Sequence, residues 1–257
     1  MSVTIKSARE IALMKEAGRI LAITHDELKK ALKPGMTTWD IDHLGEEIIR
    51  SYGCIPSFLN YNGYPASICI SVNDEVVHGI PSKNRVLQEG DIVSLDAGVI
   101  YKGYHSDAAR TYGIGEITPE AGKLMEVTKQ SFFEGIKYAK SGNHLNDISS
   151  AIQAYAESFG YGVVRDLVGH GIGQHLHEGP EIPNFSQRRR GIKLKPGMTL
   201  AIEPMINAGT PDVEWLSDEW TVVTEDGKLS AHYENTVLIT EDEPEILSLI
   251  PDDNVSI

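Results

Sequence analysis

Two carboxylates lie close together in an otherwise apolar part of the sequence. Asp96 interrupts a run of β-branched residues typical of a buried strand, and Asp107 follows a turn predicted at Lys102-Gly103. In a hairpin closed by that turn, Gly98 lies opposite Asp107, and Asp96 is the diagonal neighbour of Asp107, roughly 7–8 Å away between backbones. Two such acids repel each other unless a proton or a cation lies between them. The pair therefore predicts a cation site.

Four residues of the second half of the chain are further candidate ligands. Glu203 lies in the apolar residues 200–206, and Glu234 lies at the entry to another apolar strand. His170 is framed by glycines in Gly169-His-Gly-Ile-Gly173, and His177 follows in His175-Leu-His-Glu178. Any one of them alone is more often a salt-bridge or rim residue than a ligand. Buried charges without partners cost several kcal/mol each, so the four acids as a set predict bound cations.

Four carboxylates and one imidazole are more than one ion needs. They suit two divalent ions about 3.5–4 Å apart, which lower the pKa of a shared water and polarise a carbonyl group. Ligation mostly by oxygen with one nitrogen favours Mn, Fe or Co, whereas structural zinc is typically bound by Cys and His. Zn remains an alternative for the two-ion site. A glycosidase with two catalytic acids is a weaker alternative, because it would not need His170.

Four helices and a series of strands are predicted to position these residues, which makes the fold α/β (α+β). A capping box at Ser7 begins the first helix, Thr37 opens the second, and Pro119 stands at the first position of the third. The fourth helix is predicted over residues 145–159. The predicted strands cover residues 67–73, 91–101, 104–112, 162–168, 198–206, 220–224 and 231–240, with Asp226-Gly227 as a hairpin turn between the last two.

Segments of the first half recur at a constant offset of 107 residues. Lys33-Pro-Gly is echoed by Lys140-Ser-Gly, Leu87-Gln-Glu-Gly by Leu194-Lys-Pro-Gly, and Asp96 by Glu203. Chance explains any one echo, but several without a net gap favour an internal repeat. We predict one catalytic domain over residues 1–257 with related halves at roughly 1–115 and 116–245, a tail from 246 to 257, and a site between the halves.

Composition excludes several classes of function. The formal net charge of −14 argues against a nucleic-acid footprint, and Arg188-Arg189-Arg190 is the one basic cluster of the sequence. No apolar run is long enough to span a membrane, and the first residues lack a signal-peptide core. Cys54 and Cys69 cannot form a disulfide framework, so a reducing cytoplasm is the simplest location.

In order and in context, five of the candidate ligands resemble the metal ligands of the methionine aminopeptidases. The resemblance includes Ser71-Val-Asn, Val76-Val-His-Gly-Ile-Pro, the glycine-framed His170 and His177-Glu-Gly-Pro, and it extends from about Ser7 to Ile239. The compact length resembles the short bacterial type I form. This family implies a pita-bread fold, in which a curved antiparallel sheet flanked by helices has pseudo-twofold symmetry, in agreement with the repeat.

The resemblance also implies how the ions are held. Asp107 and Glu234 would bridge both metals, Asp96 would complete one of them, and His170 with Glu203 would complete the other. The free α-amine of a peptide would lie at the metal bound by Asp96. A hydroxide between the ions would attack the first peptide bond and remove the initiator methionine of nascent proteins whose second residue is small.

Further roles come from the same resemblance. Glu203 would shuttle the proton, His177 would bond the carbonyl oxygen, and His78 would bond the scissile amide nitrogen. A monovalent cation near Asn73 and Ser230 is also implied. The residues that would line the methionine pocket are Phe58, Tyr61, Tyr64, Cys69, Leu176 and Trp220. Phe58 and Asn62 depart from the Cys and His that the family often has in this loop.

Two alternatives share the predicted fold. A prolidase or aminopeptidase P uses the same ligands, but those enzymes normally carry an N-terminal domain, and only about ninety residues precede Asp96 here. A catalytically silent binding protein of this fold would lose ligands and gain basic surface. We expect a monomer that acts on peptides and nascent chains with N-terminal methionine, without nucleic acid or membrane partners; contact of Arg188–Arg190 with a ribosome stays open.

Overall fold

The computed structural model of the chain describes residues 3–250. The four predicted helices are present: α1 (Ala8–Ala31), α2 (Thr38–Ser51), α3 (Pro119–Ile136) and α4 (Leu145–Ser158). The capping box at Ser7, the start of α2 after Thr37 and the proline at the start of α3 are confirmed, and Thr37 also forms a capping box. The side chains of Ser7, Thr37 and Thr118 accept from backbone N–H groups that would otherwise lack partners at these helix starts.

The strands are short except for one long hairpin. In chain order they are β1 (Ile55–Pro56), β2 (Ile68–Val72), β3 (Glu75–Val77), β4 (Ile92–Tyr101), β5 (Tyr104–Gly113), β6 (Gly162–Val163), β7 (Gly169–Gly171), β8 (Glu178–Ile182), β9 (Thr199–Ile202), β10 (Met205–Asn207), β11 (Val213–Trp215), β12 (Val222–Thr224), β13 (Ser230–His232), β14 (Asn235–Leu238) and β15 (Glu245–Ile246). All ladders between these strands are antiparallel. A 3₁₀ turn covers Tyr61–Gly63.

The long hairpin β4–β5 has the predicted register. Tyr101 pairs with Tyr104 across the turn, and Gly98 lies opposite Asp107. β4 also pairs with β1 and β2. The other sheets have the strand orders β13-β10-β6, β11-β12-β3 and β15-β14-β9-β7-β8.

The strand predicted over residues 198–206 is interrupted, which corrects the sequence-based prediction. β9 pairs with β14 and β10 with β13, so Ile202 lies opposite Asn235 and Met205 opposite His232. Between these pairs the ladder breaks at Glu203-Pro204 on one side and at Tyr233-Glu234 on the other. Proline has no N–H for a ladder, and the break frees the two glutamates from the regular alternation of strand side chains.

The predicted hairpin at Asp226-Gly227 is wrong. The turn exists, and Gly227 adopts a left-handed φ of 69°. However, β12 pairs with β11 and β3, whereas β13 pairs with β10. The turn therefore connects strands of two different sheets. The strand predicted over residues 162–168 is likewise shorter, because only Gly162–Val163 pairs, with β10.

The same order of elements occurs in each half of the chain. α1 packs on β4 and β5, and α3 packs on β10 and β13. α2 begins and ends 107 residues before α4. Each half has an apolar core of its own, one including Leu21, Ile41 and Leu95, the other including Phe132 and Ile148. The acid-bearing ladders lie where the halves meet.

The end of the described chain packs against the fold. β15 pairs with β14, and Leu247 and Ile250 are buried, so the segment from residue 246 to 250 contributes to the core. The rest of the predicted tail, residues 251–257, lies outside the described residues. Within residues 3–250, no helix is both long and apolar enough to cross a bilayer.

A buried ion pair fastens the N-terminal segment to β8. Lys6 Nζ lies 2.7 Å from Glu178 Oε2, with side-chain exposures of 5% and 7%, and Thr4 also donates to this carboxylate. Burial alone would raise the pKa of Glu178, but the hydrogen bonds from Lys6 and Thr4 outweigh it and lower that pKa. Gly173 makes room, because a Cβ there would meet the Lys6 side chain at 2.5 Å.

Replacing Lys6 with Met should lower the free energy of unfolding by about 3–5 kcal/mol, because Glu178 would remain buried without its counter-charge. Urea unfolding followed by circular dichroism measures this change. The matched control is Lys15→Met, which removes an ion pair with Glu245 whose side chains are 46% and 45% exposed; it should cost less than about 1 kcal/mol. Equal losses in the two variants would contradict the assignment.

Candidate metal centre

The five predicted ligands come from strands of both halves and line one cavity of about 350 Å³. Asp96 and Asp107 lie on the long hairpin, and His170 is the central residue of β7. Glu203 and Glu234 lie in the two breaks of the second ladder. The sequence-based prediction that these side chains converge therefore agrees with their placement.

Three of these residues are closest together. One ligand atom each of Asp107, His170 and Glu234 lies within 4.8 Å of the others, and all three residues are buried. His170 Nε2 is 3.9 Å from Asp107 Oδ2 and 3.6 Å from Glu203 Oε1. Asp96 lines the same cavity as these residues. The cluster thus contains four acids around one imidazole.

The carboxyl groups are strongly perturbed. Burial raises the pKa of Asp96 to about 7. Burial also raises the pKa values of Asp107, Glu203 and Glu234 well above their ordinary range, and repulsion by the neighbouring acids adds to this effect. Asp96 Oδ1, Asp107 Oδ1 and Glu234 Oε1 are buried and have no hydrogen-bond partner. Such oxygens fit a divalent cation as their missing partner.

The imidazole of His170 fits the same conclusion. Its Nδ1 lies 2.9 Å from the carbonyl oxygen of Gly171, and because a carbonyl only accepts, Nδ1 must carry the proton. Burial lowers the pKa of His170 to about 3, so the ring is neutral and Nε2 presents a lone pair to the carboxylates. A lone pair facing carboxylate oxygens is repulsive unless a proton or a cation lies between them. The bond from Nδ1 to the Gly171 carbonyl is typical of a histidine that ligates a metal through Nε2.

Two further predicted histidines line the cavity. His177 Nδ1 lies 2.8 Å from the Tyr61 hydroxyl, and the His177 ring packs edge-on against His170 with centroids 4.2 Å apart. His78 follows β3 in a left-handed conformation with φ of 59°, and its ring lies 6.4 Å from that of Trp220. Burial lowers the pKa of His177 and lowers that of His78 to about 4, so both are neutral donors or acceptors at pH 7.

An apolar pocket adjoins the acids. Cys69 lies directly opposite Asp96 across the β2–β4 ladder, and the rings of Tyr64 and Trp220 pack edge-to-face 5.1 Å apart. The predicted pocket residues that line the cavity are Phe58, Tyr61, Tyr64, Cys69, Leu176 and Trp220. Val77 and Met205 also line it but were missed from the sequence; Met205 could have been found, because it follows Glu203 by two residues.

His232 is a second residue that sequence reasoning missed. It is 2% exposed, its Nε2 lies 4.0 Å from Glu203 Oε2, and neither ring nitrogen has a hydrogen-bond partner. Burial lowers its pKa to about 3. Sequence analysis could have found His232, because it precedes the candidate ligand Glu234 by two residues.

Hydrogen bonds between the two ladders hold the acids in place. The Thr236 hydroxyl accepts from the backbone N–H of Asp107 at 2.8 Å and donates to the carbonyl of Asp107 at 2.9 Å. The buried Arg110 guanidinium donates to Asn235 Oδ1 at 2.7 Å and to the backbone carbonyl of Glu234. These bonds fix the first-half acid relative to the second-half acid.

The residues predicted to bind a monovalent cation are neighbours. The Ser230 backbone N–H donates to the Asn73 carbonyl at 2.9 Å, and Asn73 has a left-handed φ of 61°. The Asn73 side chain donates to Asp91 and accepts from the backbone N–H of Ile92. Cation binding at this place stays a prediction.

Comparison with known proteins identifies the family. The model of metallopeptidase family M24 matches residues 12–241. The methionine aminopeptidase of Clostridium acetobutylicum is 59% identical over 247 residues, covering 96% of this chain and 99% of the relative. The crystal structure of a methionine aminopeptidase from Thermotoga maritima has a TM-score of 0.94 at 46% identity and covers 96% of this chain and 99% of that one.

A less similar structure represents the prolidase alternative. The Xaa-Pro dipeptidase of Bacillus anthracis has a TM-score of 0.78 at 25% identity, and the alignment covers 96% of this chain but only 62% of the dipeptidase. These neighbours confirm the predicted pita-bread fold. The two methionine aminopeptidases align with this chain over nearly their whole length, whereas the dipeptidase does not. The chain belongs to the methionine aminopeptidases of metallopeptidase family M24.

Proposed function

We propose that this site removes the initiator methionine from peptides and nascent proteins whose second residue is small. The observation that carries the proposal is the convergence of four acids and one imidazole on a cavity that continues into an apolar pocket, with Asp107, His170 and Glu234 buried and closest together. The full-length similarity to methionine aminopeptidases supports the same substrate class. An exopeptidase needs both parts, one to act on the first peptide bond and one to hold the first side chain.

Asp96, Asp107, His170, Glu203 and Glu234 would hold two divalent ions of the Mn, Fe, Co or Zn type. When bound, such ions supply Lewis acidity toward a carbonyl oxygen and lower the pKa of a water molecule. The unpartnered oxygens of Asp96, Asp107 and Glu234 and the Nε2 lone pair of His170 support this assignment.

The chain's own groups would move protons and stabilise charge. Glu203 is the carboxyl group that can take a proton and return it to the leaving amine, because it borders the cavity beside His170 and His232. His177 would donate a hydrogen bond to the carbonyl oxygen, on which negative charge develops. His78 would bond the amide nitrogen of the same peptide bond.

The apolar pocket would select methionine. Cys69, Tyr64, Leu176, Met205 and Trp220 offer a largely apolar surface that suits an unbranched thioether side chain. Phe58 replaces a smaller residue often found in this family and fills part of the same wall. Exclusion of water from this pocket also strengthens hydrogen bonds at the adjoining peptide bond.

The setting of the reaction follows from its substrate. Nascent chains with N-terminal methionine arise in the cytoplasm, where we place the activity of a monomeric enzyme. Arg188, Arg189 and Arg190 form an exposed basic segment, which is a candidate contact for a ribosome. Nucleic acid and membranes are not part of the proposal.

Removal of metal by a chelator should abolish hydrolysis of a Met-Ala-Ser peptide, because the acids alone neither polarise the carbonyl group nor lower the pKa of a water molecule. Addition of Mn²⁺, Fe²⁺ or Co²⁺ should restore the activity and raise the melting temperature, since the ion binds only the folded chain. Methionine release and thermal unfolding are measured on the same samples, with Mg²⁺ for comparison. Hydrolysis by fully metal-free protein would refute the metal mechanism.

Replacing His177 with Ala should lower kcat about 10²–10³-fold and leave the metal content unchanged, because the lost group is a hydrogen-bond donor. The contrasting variant His170→Ala should lose metal as well as activity. His43, which is exposed on α2, serves as the control histidine. Metal content is determined by atomic emission after gel filtration; loss of metal from His177→Ala would make that residue a ligand instead.

A comparison of Met-Ala-Ser with Ala-Pro-Ser separates methionine aminopeptidase from prolidase-like activity. We expect kcat/KM to favour the methionine peptide by at least about 10²-fold, since the pocket gains the burial of a whole apolar side chain. Single-substrate assays with amino-acid analysis of the products measure the ratio. A preference for the proline peptide would assign the site to the prolidase-like enzymes that share this fold.

A further inference from the structure

The backbone carbonyl of Glu203 accepts a hydrogen bond from a side chain that is not among the candidate ligands. Asn184 Nδ2 lies 3.0 Å from this carbonyl oxygen, and Asn184 is fully buried. Because a carbonyl oxygen only accepts, the amide nitrogen of Asn184 must be the donor.

The broken ladder determines where the Glu203 carbonyl points. The register is the same on both sides of the break, because the flanking pairs are separated by two residues on each strand. The Tyr233 N–H donates to the Pro204 carbonyl at 3.2 Å, so Glu203 lies opposite Glu234. In antiparallel strands, pairs that exchange hydrogen bonds alternate with pairs whose polar groups point outward. The two glutamates form a pair of the second kind, and the Glu203 carbonyl points away from β14.

The strand on that outer side ends too early to bond this carbonyl. β7 pairs with β9 as far as Ala201, two residues before Glu203. Asn184 follows the last residue of β8 by two positions, and β8 is the neighbour of β7 in the sheet. A buried carbonyl needs a donor, and the Asn184 amide supplies the one that a longer β7 would have supplied.

The amide oxygen of Asn184 shows what this residue contributes. Within residues 3–250, Asn184 Oδ1 is buried and has no hydrogen-bond partner. A buried amide oxygen without a partner costs free energy, and an apolar side chain at this position would avoid that cost. The favourable contribution of the amide is therefore its bond to Glu203.

This bond connects the supports of two candidate ligands. His170 lies on β7, which pairs with β8, and Asn184 follows β8. Glu203 Oε1 lies 3.6 Å from His170 Nε2. Asn184 thus ties the backbone of Glu203 to the strand pair that carries His170, whereas Asp96 lies on the hairpin β4–β5. Loss of the bond would let Glu203 move relative to His170 and would leave Asp96 in place.

We propose that Asn184 is a positioning residue that holds Glu203 at the distance from His170 at which both bind the same divalent ion. The inference rests on the proposed function, in which His170 and Glu203 complete one ion and Asp96 completes the other. Removal of the amide donor should therefore weaken one of the two ion sites selectively. Asn184 acts through the backbone of Glu203 and not on the reacting atoms.

The test is a calorimetric titration of the full-length, metal-free chain with Mn²⁺. Asn184→Ala and Asn184→Leu both remove the donor but differ in side-chain volume, so an effect common to both does not come from volume. We expect the dissociation constant of one ion to rise about tenfold in each variant and that of the other ion to change less than about twofold. His170→Ala identifies the affected step, because it removes a ligand of the same ion.

Kinetics of the Mn²⁺-loaded enzyme are the second measurement. In both variants kcat for Met-Ala-Ser should fall roughly tenfold with little change in KM, since a displaced Glu203 is less able to take and return a proton. Asn184→His keeps an N–H donor at the same number of bonds from Cα, and it should restore kcat and Mn²⁺ affinity to within about threefold of the unmodified protein.

Asn143→Leu is the matched control. Asn143 Nδ2 also donates to a backbone carbonyl at 3.0 Å, that of Tyr138, in the loop before α4. Its replacement should change neither Mn²⁺ affinity nor kcat. Melting temperatures of all variants without metal show how far each substitution weakens the fold itself.

Several results would overturn the inference. Unchanged Mn²⁺ binding in Asn184→Ala and Asn184→Leu would do so, as would equal weakening of both ions or binding of a single ion by the unmodified chain. A lower melting temperature without a change in Mn²⁺ affinity would assign the bond to stability alone. If the unmodified holoenzyme released no methionine, the proposed function would fail, whereas the calorimetry would still decide the role of Asn184.

Discussion

Mutual repulsion among four carboxylates is the constraint on which the rest of this structure depends. Asp96, Asp107, Glu203 and Glu234 border one cavity, and burial together with their proximity raises their pKa values. A fold can hold such groups only if its backbone is stiff enough to resist their separation. Two antiparallel ladders, each packed on a helix, provide that stiffness here.

Neighbouring groups respond to the same electrostatics. Burial lowers the pKa values of His78, His170, His177 and His232, so the imidazoles near the acids are neutral. The buried Arg110 guanidinium donates to the backbone carbonyls of Ala109 and Glu234 and to Asn235 Oδ1. The positive charge of Arg110 opposes the rise in the pKa of Glu234 and so reduces the cost of burying that acid.

The sequence predicted those features that depend on residues close together along the chain. The capping box at Ser7, the start of the second helix after Thr37 and the register at Lys102-Gly103 follow from local spacing, and all are present. The internal repeat places Glu203 at the position equivalent to Asp96, and it indicated that acids of the two halves meet. Family resemblance then supplied roles for individual residues that spacing alone could not.

Long-range pairing accounts for the features that were missed. Asp226-Gly227 has hairpin composition, but β12 and β13 find their partners in different sheets. The break at Glu203-Pro204 is hidden by apolar neighbours that read as one strand. Lys6 and Glu178 are 172 positions apart, so their ion pair has no local signature. In each case, contacts between residues far apart in the sequence determined the structure, and the local sequence pattern did not.

The separation of the metal-site residues along the chain has a consequence for biosynthesis. Asp107 is held by Thr236, and the closest cluster of candidate ligands is complete only with Glu234. A partly synthesised chain that contains the whole first half therefore presents Asp96 and Asp107 without the groups that complete and brace them. Completion of the candidate metal site therefore requires synthesis of nearly the whole polypeptide, at least as far as Thr236.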